Sequence, residues 1–287
     1  MLEVRVAPTK QTIVLIGGAM RSGTTIIYRA LCTAQNSNPF LAESWFLNGL
    51  MAQFRSNLLQ FDIGLKDQFG DRSKYVELMK FNMQYYFNTV SEKYGDPEVL
   101  FFKHPGLTTH FVEISELFPK IQYIVVVRDP RDAIASTMQV ARKHRESGVV
   151  SLHSRLSTIE DFCKHYDSYY LRVLSNREKF GNRLTFVRYE DVMKEPQEII
   201  SKVGGRFGAS YMEADIARFD ETHTSSNYLN KDDRLKSPFG SAFWSDAYTQ
   251  DISSDKIGSH KNSLAPSEIE EIQIRLNAMG KMFGYWN

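Results

Sequence analysis

Residues 12–28, reading TIVLIGGAMRSGTTIIY, leave this chain few choices of fold. Ile13, Val14, Leu15 and Ile16 form an apolar, mostly β-branched run with no polar alternation, the pattern of a strand buried on both faces. Gly17 and Gly18 stop the run. Ile26, Ile27, Ala30 and Leu31 then return at helical spacing. Strand, glycine-bearing turn and helix in so short a span predict backbone N–H groups converging where the helix begins. The helix dipole favours an anion at that point.

The turn residues narrow the choice of anion. A Walker A loop reads GxxxxGK[ST], and its lysine reaches the β- and γ-phosphates of a nucleoside triphosphate. Gly18 and Gly23 have that spacing and Thr25 fills the last place, but Thr24 stands where the lysine belongs. Arg21 supplies a cation inside the loop instead. The pattern predicts a site for one 5′-phosphate carrying a transferable group. The competing reading is a strand-to-helix turn that binds nothing.

Bulk properties exclude several classes. The chain has 287 residues, enough for one large α/β domain, and a formal net charge of +1, which argues against a nucleic-acid partner. Cys32 and Cys163 sit in apolar helical contexts without metal-ligand spacing and read as buried free thiols. The seven histidines are scattered, so no metal is expected. No signal-peptide core opens the sequence and no apolar run approaches ~18 residues, so a cytoplasmic protein with no membrane partner is expected.

Strand–helix alternation continues along the chain. A helix over 72–94 presents Tyr75, Leu78, Met79, Met83, Tyr86, Phe87 and Val90 to a core. Residues 99–102 read as a second strand, delivering Lys103, His104 and Pro105 at its carboxyl end, where ligands bind in open parallel sheets. The bland alternatives are a solvated strand end for Lys103 and a structural role for His104. Residues 121–127 form the most hydrophobic strand. It ends in Arg128-Asp129-Pro130-Arg131-Asp132, with Ser136 about a turn into the next helix. Arg128 and Ser136 suit a second phosphate; the alternative is an Arg–Asp ion pair closing the turn. Residues 184–187 are a fourth strand. One amphipathic helix is expected over 159–180 and others over 196–207, 211–219 and 267–282. Two segments read as loops or lids, about 142–155 and 221–261, the second holding Phe243 and Trp244. Glu43 stands alone among apolar residues. It is either exposed in a loop or buried beside the phosphate site with a cationic partner, the condition for a general base. The whole is expected to be one domain over 1–287: a P-loop-like parallel sheet flanked by helices on both faces.

Three motifs, in order, resemble a known family. Arg21-Ser22-Gly23-Thr24-Thr25 resembles the 5′-phosphosulfate loop of sulfotransferases that use 3′-phosphoadenosine 5′-phosphosulfate (PAPS). Phe118-Pro119, the run 127–132 and Ser136 resemble their 3′-phosphate strand and helix. Arg188-Tyr189-Glu190-Asp191 resembles their third recurring element. Residues 257–261 are a looser match to the segment that closes over the nucleotide. The matches run from residue 12 to about 205, with the looser one near the C-terminus. Arg21 is similar to the tyrosylprotein and bacterial members; the small cytosolic enzymes carry lysine there.

The resemblance implies that Ser22, Gly23, Thr24 and Thr25 hold the 5′-phosphate, with Arg21 offsetting charge on the leaving oxygen. Arg128 and Ser136 would hold the 3′-phosphate, Tyr189 would lie near the adenine, and Lys261, with Lys256 as a further candidate, would reach the 3′-phosphate. Lys103-His104-Pro105 resembles the Lys-x-Pro of the bacterial and tyrosylprotein group, in which a Glu after the first helix takes the acceptor proton. Glu43 matches that Glu, allowing one inserted residue. The cytosolic enzymes use a His in the region of His104, here one residue out of register. Glu43 is the preferred base. The expected reaction is direct in-line sulfuryl transfer from PAPS to a hydroxyl, or less readily an amine, of a small metabolite or natural product, leaving adenosine 3′,5′-bisphosphate (PAP). Trp45, His110, Phe243 and Trp244 are candidate acceptor contacts. A homodimer is among the allowed assemblies. The rival functions are a nucleotide-dependent kinase and a non-catalytic nucleotide-binding module.

Overall fold

The computed structural model describes residues 10–212, 216–218, 224 and 251–287. Four strands form one parallel sheet: β1 Thr12–Gly18, β2 Val99–Lys103, β3 Gln122–Val127 and β4 Leu184–Arg188, in the order β2-β1-β3-β4. Ile16 pairs with Lys103, Gly18 with Val126, and Val127 with Arg188, so all four strands end along one edge. The chain leaves β1 toward β2 on one side and reaches β3 on the other. This reversal opens a crevice at the carboxyl end of β1, where ligands bind in such sheets.

Both faces of the sheet are covered, as the uninterrupted apolar runs predict. Ile13, Leu15, Leu100, Phe102, Tyr123, Val125 and Val127 point into one core layer. Val14, Ile16, Val99, Phe101, Ile124 and Val126 point into the other, under helix α1, Thr24–Leu31. The strict period of two is the strand geometry itself.

Two further helices bear on the site, α2 (Trp45–Leu59) and α3 (Arg72–Lys93). Helix α3 starts at an Asp71 cap and buries Tyr75, Met79, Met83 and Phe87 at four-residue spacing, while Leu78, expected inside, is exposed. Helix α4, Pro130–Glu146, carries the second basic motif. Residues 142–146 therefore continue a helix rather than opening a loop, and a short 3₁₀ turn, His153–Arg155, follows. The single helix expected over 159–180 is three pieces, Ile159–Ser168, Leu171–Ser175 and Arg177–Phe180. The C-terminal helix is likewise two, Pro266–Arg275 and Asn277–Met282. Part of the expected 211–219 helix and most of the 221–261 segment, including Phe243 and Trp244, lie outside the described residues; where 211–219 is described it is not helical, Tyr211 and Met212 being irregular and 216–218 a turn. Among the described residues no helix is long and apolar enough to cross a membrane.

Strand β2 lies at the edge of the sheet, yet its backbone is paired. Residues 36–44 run alongside it. Val99 N–H donates to the Asn36 carbonyl at 3.1 Å, and Ser44 N–H to the Lys103 carbonyl at 2.8 Å. Between them the buried Asn38 side chain takes the Phe101 N–H at 2.7 Å and donates to the Phe101 carbonyl at 3.1 Å. An Asn amide imitates a peptide group, so Asn38 continues the ladder where Pro39 lacks a donor. This splint brings Glu43 to the end of β2. Asn38→Ala strands the Phe101 N–H, and the expected loss is about 1–3 kcal/mol of unfolding free energy. Urea unfolding measures it; a midpoint equal to wild type would contradict the splint.

Candidate functional site

The β1–α1 loop is held by side chains far away in sequence. Thr108, wholly buried, accepts the Gly18 N–H at 2.6 Å and donates to the Pro105 carbonyl at 2.6 Å. The Tyr170 hydroxyl accepts the Ala19 N–H and donates to the Val126 carbonyl, both at 3.0 Å. Ser22 is folded back, its hydroxyl donating to the Ala19 carbonyl at 2.6 Å. Neither Thr108 nor Tyr170 stands out in the sequence. A hydroxyl distant along the chain carries no spacing signal.

The loop glycines are required by geometry. Gly18 has φ 140° and Gly23 φ 89°. A Cβ on Gly18 would stand 2.4 Å from the Val126 carbonyl oxygen, and one on Gly23 would stand 2.2 Å from the Tyr189 ring. Arg21 adopts φ 67°, an uncommon left-handed conformation for a residue with a side chain, of the kind concentrated at functional sites. No side chain caps the start of α1. The N–H groups of its first turn have no intrahelical acceptor and face an anion position.

Two basic clusters flank this loop. On the β2 side the Lys103 side chain is 1% exposed. Its Nζ donates to Thr25 Oγ1 at 2.8 Å and to Glu43 Oε1 at 2.5 Å. Burial pushes the Glu43 carboxyl up, but the Lys103 ammonium and its hydrogen bond outweigh it, so Glu43 stands below the ordinary carboxylate value. His104 Nε2 lies 3.8 Å from Glu43 Oε2. The other His104 nitrogen, Nδ1, accepts the Gly106 N–H at 3.0 Å, which places the ring proton on Nε2. Trp45 is 66% exposed and meets the His104 ring edge-on, with centroids 4.4 Å apart. His110 is buried close enough to His104 to act on its charge.

On the β3 side Arg128 is held from several directions. Nη1 donates to the Arg21 carbonyl at 3.1 Å and Nη2 to the Lys256 carbonyl at 2.8 Å, while the guanidinium lies 4.5 Å over the Tyr189 ring. Its Nε is buried with no hydrogen-bond partner among the described residues. The close ion pair of this turn is Asp129 with Arg131, at 2.6 Å; Arg128 lies farther from its own acidic neighbour, Asp132, at 4.0 Å. Arg21 Nε donates to Ser136 Oγ at 3.0 Å, joining the loop cation to the second basic cluster. Tyr189 is buried against Gly23, beneath the loop. Lys256 and Lys261 are exposed, on the C-terminal segment that crosses Arg128.

The structure thus brings together Arg21, Ser22, Gly23, Thr24 and Thr25 with Glu43, Lys103 and His104 on one side and with Arg128, Ser136 and Tyr189 on the other. Asp132 and His260 belong to the matched runs 127–132 and 257–261, but that they meet each other carries no signal in the sequence. The Asp132 carboxylate receives His260 Nδ1 at 2.7 Å and ties the C-terminal segment down. The orphaned Arg128 Nε and the uncapped helix start fit a ligand carrying two separate anionic groups.

A family model described as "Sulfotransferase family" matches residues 14–213. Among solved structures, the "Sulfotransferase Domain from the Synechococcus PCC 7002 Olefin Synthase" has TM-score 0.59 at 14% identity, covering 100% of this chain and 99% of that one. The "Sulfotransferase Domain from the Curacin Biosynthetic Pathway" has TM-score 0.57 at 14% identity, covering 94% and 99%. Sulfotransferase STF9 from Mycobacterium avium has TM-score 0.51 at 16% identity, covering 96% and 77%. No curated protein sequence matches the chain.

The buried histidines give the site a pH signature. Burial drives His104, His110 and His153 each down to about 4. Their ordinary value is about 6.5, so between those limits the unfolded chain binds protons that the folded chain refuses. Their contribution to stability is complete above pH about 6.5 and is lost as pH falls toward about 4. The urea midpoint is therefore expected to fall between pH 7.5 and 4.5, less steeply in His104→Gln. A parallel fall in both proteins would contradict the assignment.

Proposed function

Because the chain belongs to the sulfotransferase family, we propose that it transfers the sulfuryl group of PAPS to a hydroxyl of a small metabolite or natural product, with Glu43 as general base. An amine acceptor is the less favoured variant. The observation that carries the reading is the contact of Lys103 with both Thr25 and Glu43. One buried ammonium touches a residue of the phosphate loop and the only carboxylate in the Lys103 cluster described above. PAPS, when bound, supplies a sulfuryl group on its 5′-phosphate, and negative charge builds on the bridging oxygen as that group leaves.

Each residue has a task in this reading. The first turn of α1 and the loop N–H groups bind the 5′-phosphate. Arg21 and Lys103 oppose charge on the departing oxygen, the largest electrostatic demand of the reaction. Arg128, with Ser136 and the exposed Lys256 and Lys261, binds the 3′-phosphate. Glu43 stays ionised near neutral pH because Lys103 holds its carboxyl down, so the carboxylate can take a proton. It is a weak base, suited to a hydroxyl that becomes strongly acidic only as its bond to sulfur forms. The His104 ring has its Nδ1 lone pair occupied by Gly106 and its Nε2 proton toward Glu43, which suits it to steady Glu43 rather than replace it. Trp45, exposed beside His104, forms a wall for the acceptor. Thr24 in place of a Walker lysine weighs against the kinase reading.

PAP release from PAPS, followed over a panel of phenols, alcohols and amines, tests the proposal. Glu43→Gln should lower kcat by about 10²–10⁴-fold with little change in KM for PAPS. His104→Gln should cost far less. PAP binding without turnover of any acceptor, and indifference to Glu43→Gln, would favour the non-catalytic binding module instead.

A further inference from the structure

The C-terminal segment crossing the Arg128 cluster is fastened at Asp132. Asp132 Oδ2 accepts the Gly258 N–H at 2.7 Å, and Oδ1 accepts the His260 N–H at 2.9 Å and His260 Nδ1 at 2.7 Å. Ser259 Oγ reaches Oδ1 at 3.4 Å. A carboxylate only accepts, so the His260 nitrogen facing it carries the proton. Gly258 takes φ 74°, a turn that opens the short 3₁₀ helix Ser259–Asn262. Both partners are almost completely buried, with side chains 4% and 1% exposed for His260 and Asp132. Burial pushes the Asp132 carboxyl up, but the donors from 258–260 outweigh it and hold it below its ordinary value.

This fastening is coupled to the nucleotide site through Arg128. Arg128 Nη2 lies 4.0 Å from Asp132 Oδ2 and donates to the Lys256 carbonyl. Asp132, Arg128 and the segment 256–260 therefore close a ring of contacts. The two exposed lysines, Lys256 and Lys261, leave the segment immediately before and after the clamped residues. A cation on a free segment loses its position to chain entropy; one on a clamped segment does not.

We propose that Asp132 and His260 are positioning residues that seat this segment so that Lys256 and Lys261 face the phosphate bound by Arg128. The inference rests on the PAPS reading of the site. It concerns a group remote from the 5′-phosphate, so it acts on recognition of the 3′-phosphate and not on the transfer step.

Calorimetric titration with PAP and with AMP, which lacks the 3′-phosphate, tests it. In His260→Ala the PAP dissociation constant should rise about tenfold or more, the loss expected for a hydrogen bond to a charged group. AMP binding should stay within about twofold, and kcat at saturating PAPS within about threefold. His260→Asn, whose amide N–H can take the place of Nδ1–H, should recover most of the PAP affinity. Equal PAP affinity in wild type and His260→Ala, or equal weakening for PAP and AMP, would overturn the proposal. So would an Asn variant no better than Ala. If wild type itself fails to bind PAP, the donor reading falls first and this inference with it. Should His260→Ala not fold, amide exchange in the wild type decides: PAP must slow exchange over 256–264, and unchanged exchange refutes the clamp.

Discussion

The buried ammonium of Lys103 is the constraint on which the site depends. A charge so removed from water is tolerated only with well-placed partners. Lys103 has two, and they come from separate parts of the chain: Thr25 from the phosphate loop and Glu43 from the segment that splints the edge strand. Satisfying the ammonium therefore fixes the loop, the strand end and the carboxylate relative to one another. The short apolar strand β2 delivers the lysine, and the parallel pairing of Ile16 with Lys103 sets how far it stands from the β1–α1 loop. Removing Glu43 would leave the Lys103 ammonium a buried charge with no carboxylate beside it.

Much of this was legible in the sequence because it is local. Apolar runs of strand length gave four strands, all found in the parallel sheet. Gly18 and Gly23 marked the loop because left-handed backbone favours glycine, and the structure gives both positive φ. Glu43 was noticed because a lone carboxylate among apolar residues demands an explanation. What was not legible depends on contacts across long stretches of chain. Thr108 and Tyr170 hold the loop through single hydroxyls, and Asp132 meets His260 across most of the C-terminal half. The helix breaks after Ser168 and Ser175 escaped because apolar periodicity runs on through them. Residues 142–146 looked like a loop because charge hides a helix whose buried face holds only Ala141 and His144 there.

In the proposed reading the two flanks of the loop divide the labour. The β2 side is a tight, partly dry cluster in which charge is balanced and hydrogen bonds are short, as an acid–base step needs. The β3 side presents a guanidinium stacked on Tyr189 and crossed by a clamped segment, as recognition of a fixed anion needs. Arg21 ties the loop to the β3 side through Ser136 and through its own carbonyl on Arg128, and Thr25 ties it to Lys103 on the β2 side. The left-handed backbone of Arg21 is strain of a kind that persists only when neighbours over-determine it.

In the proposed reading this loop and Arg128 recognise a nucleotide with separate 5′- and 3′-anionic groups rather than a triphosphate. A thermal-shift titration with PAP, ATP·Mg²⁺ and AMP, on wild type and Arg128→Ala, tests it most directly. A ligand that binds only the folded state at 100 times its dissociation constant stabilises it by about 2.7 kcal/mol. The account predicts a large upward shift with PAP, smaller shifts with AMP and ATP·Mg²⁺, and loss of the PAP advantage in Arg128→Ala. A preference for ATP·Mg²⁺, or no response to any of the three, would contradict it.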